Sequence, residues 1–267
     1  MSVREHGFKV FKPETVSDKN IAFNNEIIRV KSGSEVLGTS IGTGDRDEIG
    51  IYIEPPEYVI GFKQMDHYTW RSKPEGVRSE PGDIDLTLYS LRKFMSLALN
   101  GNPSILNILY TPEESINAIK LWGYDLLEFR DEIISKRAVP RFLGYLDSQR
   151  KRLKGELKGH MPKRPELVDQ YGYDTKYAMH ALRLGWQGFE LLHKQKLELP
   201  LRDAEWFKQV RQGRYTLDEV IKLIDHWEGM IRAEENISPL RDEPNMDLIN
   251  QWIVDVHRSY WRNRGFV

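Results

Sequence analysis

Gly33–Ile53 reads GSEVLGTSIGTGDRDEIGIYI, and its reading decides the fold. The stretch holds five glycines, then the acidic pair Asp45 and Asp47, then an apolar run from Ile49 to Ile53. Glycine lets a backbone come close to a bound group. Amides at a helix start suit phosphate, and carboxylates suit a hard cation. Two aspartates two positions apart at the entry to a strand project from the same face. Such a pair repels itself unless a cation or hydrogen bonds compensate. On spacing alone, D-x-D is more often a cap or a solvated turn than a metal site. No Lys-Ser or Lys-Thr follows the glycines, so the loop is not a P-loop. It also lacks the G-x-G-x-x-G spacing of a dinucleotide fingerprint.

Outward from this stretch, β-like runs bounded by Gly and Pro are predicted at Glu26–Val30, Ile49–Ile53 and Ile84–Tyr89. Asp85 lies in the third run. With its neighbour antiparallel, it is expected to bring a third carboxylate to Asp45 and Asp47; Asp83 has the same strand parity. Ser90 reads as the N-cap of a helix with an apolar stripe through Leu91, Phe94, Met95, Ala98 and Leu99. Asn100-Gly101-Asn102-Pro103 ends it. From Thr111-Pro112 the pattern turns helical, with a cap and a first-turn proline. Further helices are expected near Val139–Lys154, Asp174–Lys194, Asp203–Val210 and Leu217–Ala233. The fold class is therefore α+β, a small mixed sheet with helices followed by a helical region. The expected division is 1–112 for the first domain and 113–267 for the second.

Composition bounds the function. The 267 residues carry a net charge of −1, so a protein that grips a long duplex by phosphate contacts alone is disfavoured. A local patch for a short nucleic-acid end is compatible. With no cysteine, disulfides, thiol chemistry and cysteine zinc sites are excluded. Seven histidines show no H-E-x-x-H pattern, so a zinc partner is not expected. Ser34 has no motif for acyl transfer around it. The opening MSVREHGFKVFKPE lacks the apolar core of a signal peptide, and no apolar run reaches the roughly 18 residues of a membrane span. A cytoplasmic protein without a membrane partner is the simplest expectation.

Gly33-Ser34, then Gly38, then Asp45-Arg46-Asp47 leading into a strand resembles the nucleotidyltransferase superfamily typified by DNA polymerase beta. The Ile84–Tyr110 segment IDLTLYSLRKFMSLALNGNPSILNILY is similar to one branch, the RlaP-type predicted nucleotidyltransferases associated with RNA repair. SKRAVPRFLGYLDSQRKRL (Ser135–Leu153) and YDTKYAMHALRLGWQGFELL (Tyr173–Leu192) resemble that branch's helical motifs. The likeness runs from about Gly33 to Arg232. It implies transfer of an NMP from an NTP, with Mg²⁺ or Mn²⁺ held by Asp45, Asp47 and Asp85. It implies Gly33 and Ser34 on the triphosphate, and an RNA end as acceptor. A protein or small-molecule acceptor, or a non-catalytic nucleotide or RNA sensor, stays open. Two positions depart from the branch pattern: Glu35 adds negative charge beside the Gly-Ser, and Asn107 stands where an acid is common.

Lys176, His180 and Arg183 are spaced four and three apart and share one helix face. Within the resemblance they form an anion clamp for the phosphates; a structural histidine bonded to a carbonyl is the alternative for His180. The most basic stretch is Arg150–Arg164, where Arg150, Lys154 and Lys158 make one stripe if the helix tolerates Gly155. That stripe is either a track for RNA phosphates or a solvated face.

Overall fold

The computed structural model describes residues 18–42, 46–73, 82–156 and 164–266. The strands are β1 (Glu26–Lys31), β2 (Arg46–Tyr52), β3 (His67–Arg71), β4 (Ile84–Ser90) and β5 (Ile116–Ile119). The helices of the first half are α1 (Asp18–Asn24), α2 (Gly33–Val36), α3 (Pro56–Val59), α4 (Leu91–Leu99) and α5 (Pro103–Leu109). Those that follow are α6 (Leu121–Glu128), α7 (Arg130–Ile133), α8 (Val139–Leu153), α9 (Pro165–Tyr171) and α10 (Thr175–Lys194). The chain then adds α11 (Ala204–Arg211), α12 (Leu217–Ile237) and α13 (Met246–Asn263). The architecture is α+β.

The strands form one mixed sheet in the order β3-β4-β2-β1-β5. β1 runs antiparallel to β2 and β5, and β3 antiparallel to β4. β2 and β4 are parallel, which corrects the antiparallel expectation for Asp85 and its neighbour. The chain between them includes α3 and the edge strand β3, long enough for the crossover that parallel pairing needs. Parallel pairing still puts Asp47 directly opposite Asp85, on the same face.

The two faces of the sheet are covered differently. Tyr52, Leu86 and Leu88 pack with Ala22 of α1 on one side. On the other, Ile28, Val30 and Ile51 join Phe94 of α4, Leu106 of α5, Phe142 of α8, Leu191 of α10 and Tyr260 of α13 in the main core. α10 forms the spine of the helical part, packed against α8, α11 and α12. Its missing side chains at Gly185 and Gly188 leave room for Trp227, Ile231 and Phe142.

Two sequence expectations fail here. The segment after Thr111-Pro112 is not a helix: one 3-10 turn (Glu113–Ser115) leads into β5, which pairs with Ile28–Val30 of β1. Sheet pairing outweighs the local start signal, and the sheet draws its last strand from beyond residue 112. The basic stripe also dissolves. α8 ends at Leu153, and Gly155 turns the chain in the left-handed region at φ +67°. Arg150 is held by Asp225 at 2.6 Å and Glu228 at 2.5 Å, and Lys158 lies outside the described residues.

α13 anchors to the far end of β2. The Trp261 indole donates to the Glu54 carbonyl at 2.8 Å, and Tyr260 donates to Asn25 Oδ1 at 2.8 Å. The buried Glu54 carboxylate meets His257 Nε2 at 3.2 Å and accepts from the first amides of α4, Leu91 at 3.2 Å and Arg92 at 3.4 Å. A carboxylate at a helix N-terminus is favoured by the helix dipole.

Candidate active site

The site begins where β1 ends. The Ser32 amide donates to the Asp47 carbonyl at 2.8 Å, which presses the start of α2 against β2. Gly33 has φ +67°, and a Cβ there would run into the Asp47 carboxylate. Glycine is therefore required twice, for the backbone turn and for the room. Ser34 follows in α2. Glu35 turns to Lys31, with its carboxylate 2.6 Å from the ammonium, so its charge is locally compensated.

α10 supplies the facing wall. Asp174 caps it, accepting from the amides of Lys176 at 3.0 Å and Tyr177 at 3.2 Å. The expected spacing then brings Lys176, His180 and Arg183 to one cavity of about 340 Å³ together with Gly33, Ser34 and Asp47. Arg211 of α11 and Asn107 of α5 complete the lining used below. Arg211 had no local signal in the sequence; only packing of α11 on α10 brings it in.

The electrostatics are those of a site for anions. Arg183 is buried, 6% exposed, and no carboxylate among the described residues pairs with it. It donates to Gln187 Oε1 at 2.7 Å, and Gln187 Nε2 donates to Asn107 Oδ1 at 2.9 Å. Its Nε has no hydrogen-bond partner among the described residues. Burial lowers its pKa to about 10, so it stays charged at neutral pH. Dehydration in the cavity wall, then Arg183, Lys176, Arg164 and Arg211, push His180 down to about 3. His180 is therefore neutral at physiological pH, a single N–H donor among cations.

Asp83 and Asp85 are not among the residues that line this cavity. Asp85 is across from Asp47 on β4, where Arg71 donates to it in a fork at 2.8 and 2.7 Å. That hydrogen bonding holds its carboxyl below the usual range. Asp83 pairs with Lys73 at 3.0 Å and accepts from Ser72 at 3.2 Å. Asp45 lies outside the described residues. Among those described, no three carboxylate or imidazole groups converge as a metal cluster.

The site thus sets a strand-borne carboxylate beside a Gly-Ser turn, faced by a cationic helix. Residues 14–255 match the family model described as RlaP, RNA repair pathway DNA polymerase beta family. The chain belongs to the RlaP family. It is thereby a member of a DNA polymerase beta-like family. It is also similar to a 38.9 kDa protein from the nrdC–mobD intergenic region of Enterobacteria phage T4, 27% identical over 125 residues. That match covers 47% of this chain and 37% of the phage protein. Among solved structures, a nucleotidyltransferase-like protein from Exiguobacterium sibiricum 255-15 aligns over 82% of this chain and 73% of its own, at 12% identity and a TM-score of 0.34. Among the described residues of this RlaP-family chain, no helix is long and apolar enough to cross a membrane.

Proposed function

We propose that the protein transfers an NMP from an NTP to an acceptor hydroxyl, with an RNA end as the acceptor. The observation that supports this reading is the single cavity in which Gly33, Ser34 and Asp47 face Lys176, His180 and Arg183. In this reading the α2 backbone and the Ser34 hydroxyl hold the triphosphate oxygens. Lys176 and Arg183 neutralise the charge that grows on the departing pyrophosphate. The acceptor oxygen forms its bond to the α-phosphorus as the bond to the pyrophosphate oxygen breaks, and the hydroxyl proton leaves to the Asp85 carboxylate, opposite Asp47 on β4.

The donor set fits a hard divalent cation, because the candidate side chains offer carboxylate oxygen and nothing softer. Asp45, Asp47 and Asp85 would hold Mg²⁺ or Mn²⁺. Bound there, the metal supplies charge neutralisation on the phosphates and a more acidic acceptor hydroxyl. Asp85 must exchange its Arg71 fork for this role. That fork equally favours a second reading, a nucleotide sensor whose third carboxylate is structural.

The test offers α-labelled ATP, GTP, CTP and UTP with Mg²⁺ or Mn²⁺, and RNA, the protein itself and small hydroxyl compounds as acceptors. Asp47→Asn is expected to lose transfer by at least about a hundredfold while keeping NTP affinity within a few-fold. Metal-dependent binding without transfer to any acceptor selects the sensor. No binding removes the nucleotide reading.

A further inference from the structure

A second chamber of about 470 Å³ adjoins this cavity at His180 and Arg183. Ile49, Ser104, His180 and Arg183 line both. Among the described residues the first chamber is lined by no Phe, Tyr or Trp; the second carries Tyr89, Tyr145 and Tyr177. Three of its residues, Tyr145, Gln149 and Arg152, are spaced four and three apart on α8, so one helix face presents an aromatic ring, an amide and a guanidinium. Two of those groups are under-used. Gln149 Oε1 and Arg152 Nε are both buried without a hydrogen-bond partner among the described residues. Tyr145 is 39% exposed, so its ring is open to a ligand. Arg152 is fixed by its guanidinium lying 5.4 Å from the Tyr177 ring centre, with Arg164 at 5.5 Å from the same ring.

This combination matches one ligand chemistry. A ring face stacks on a nucleobase whatever its sequence. An amide and a guanidinium recognise base edges by paired donors and acceptors. A purely phosphate-binding chamber would need neither the ring nor the amide.

We propose that the second chamber is a nucleobase subsite, with Tyr145 as stacking platform and Gln149 and Arg152 as readers of the base edge. The proposal rests on the nucleotide reading above and adds what selects the nucleotide. The base comes either from the donor NTP or from the last nucleotide of the acceptor, and the test separates the two.

Full-length wild type, Tyr145→Ala, Gln149→Ala and Arg152→Gln are titrated calorimetrically with inorganic tripolyphosphate, the four NTPs and the four NMPs. Thermal unfolding midpoints identify any variant that has lost its fold. Wild type is expected to prefer one base. Tyr145→Ala weakens all base-bearing ligands about tenfold, and Gln149→Ala or Arg152→Gln levels the preference about tenfold, while tripolyphosphate affinity stays unchanged. If the donor supplies the base, these changes show in the NTP series. If the acceptor supplies it, NTP affinities hold and the changes show in NMP binding with tripolyphosphate saturating. Unchanged base preference in both series in every folded variant overturns the subsite. So does an equal loss of tripolyphosphate. If wild type binds neither NTP nor tripolyphosphate, the nucleotide reading falls and this one with it.

Discussion

Gly33 and His180 show how much a single residue can carry. At Gly33 the positive φ and the nearby Asp47 carboxylate leave no place for a Cβ. Gly33→Ala is expected to cost about 1–3 kcal/mol of stability from the left-handed backbone. It also displaces Asp47, so transfer falls further than stability does; urea unfolding and the labelled-NTP assay read the two effects separately. His180 makes a pH prediction. Its pKa is pushed down to about 3 in the folded protein, against an ordinary value near 6.5. The unfolded chain takes up a proton below about 6.5 and the folded one does not. Its contribution to stability is therefore fully present above about 6.5 and is lost as pH falls toward 3. Urea unfolding from pH 7.5 to 5 should show wild type losing more stability than His180→Asn. An NMR titration of His180 without a step near 6.5 checks the same point. The spacing of Lys176, His180 and Arg183 was legible, because one helical period fixes a shared face. Their mutual proximity to Asp47 was not, because it depends on how α10 meets the sheet.

At the scale of elements, hydrophobic periodicity is local information, and the strands near Ile28, Ile51 and Leu88 and the helices α4, α8, α10, α11 and α12 were readable from it. What a face meets is not local. Arg150 and Arg152 are two positions apart on α8, yet the first joins Asp225 and Glu228 of α12 while the second lines the second chamber. Arg150→Ala is accordingly expected to lower stability by about 1 kcal/mol, since its partners are partly exposed, and to leave nucleotide affinity unchanged. Unfolding and calorimetric titration of the one variant test both halves; a large loss of affinity would restore the basic stripe as a phosphate track. β5 was misread because Thr111-Pro112 carries a sound helix-start signal, and only the open edge of β1 decides against it. β3 gave little signal because its alternation, exposed to half-buried along His67–Arg71, is that of an edge strand.

The whole molecule is closed by Glu54. Removing its carboxylate leaves the Leu91 and Arg92 amides and the His257 ring without their acceptor in a buried place. Glu54→Ala is expected to cost about 3 kcal/mol or more, and to loosen His257 of α13 and the start of α4 while the Trp261 bond to the residue 54 carbonyl stays. Urea unfolding followed by tryptophan fluorescence measures it; a loss below about 1 kcal/mol would show the contact to be incidental. None of this was visible in the sequence, since α13 has no motif and its partners are far away along the chain.

That distance has a consequence for how the protein is made. His257 and Glu54 are separated by 203 residues, Trp261 and Glu54 by 207, and Tyr260 and Asn25 by 235. At about 5–20 residues per second, the ribosome needs roughly ten to forty seconds to deliver α13 after Glu54 has emerged. Through that interval the far end of β2 has the α4 amides on its carboxylate but waits for His257, Tyr260 and Trp261 to cover it. A nascent chain stalled before residue 246 should therefore be held by chaperones and cut readily by proteases, and should become resistant only when the last helix leaves the exit tunnel.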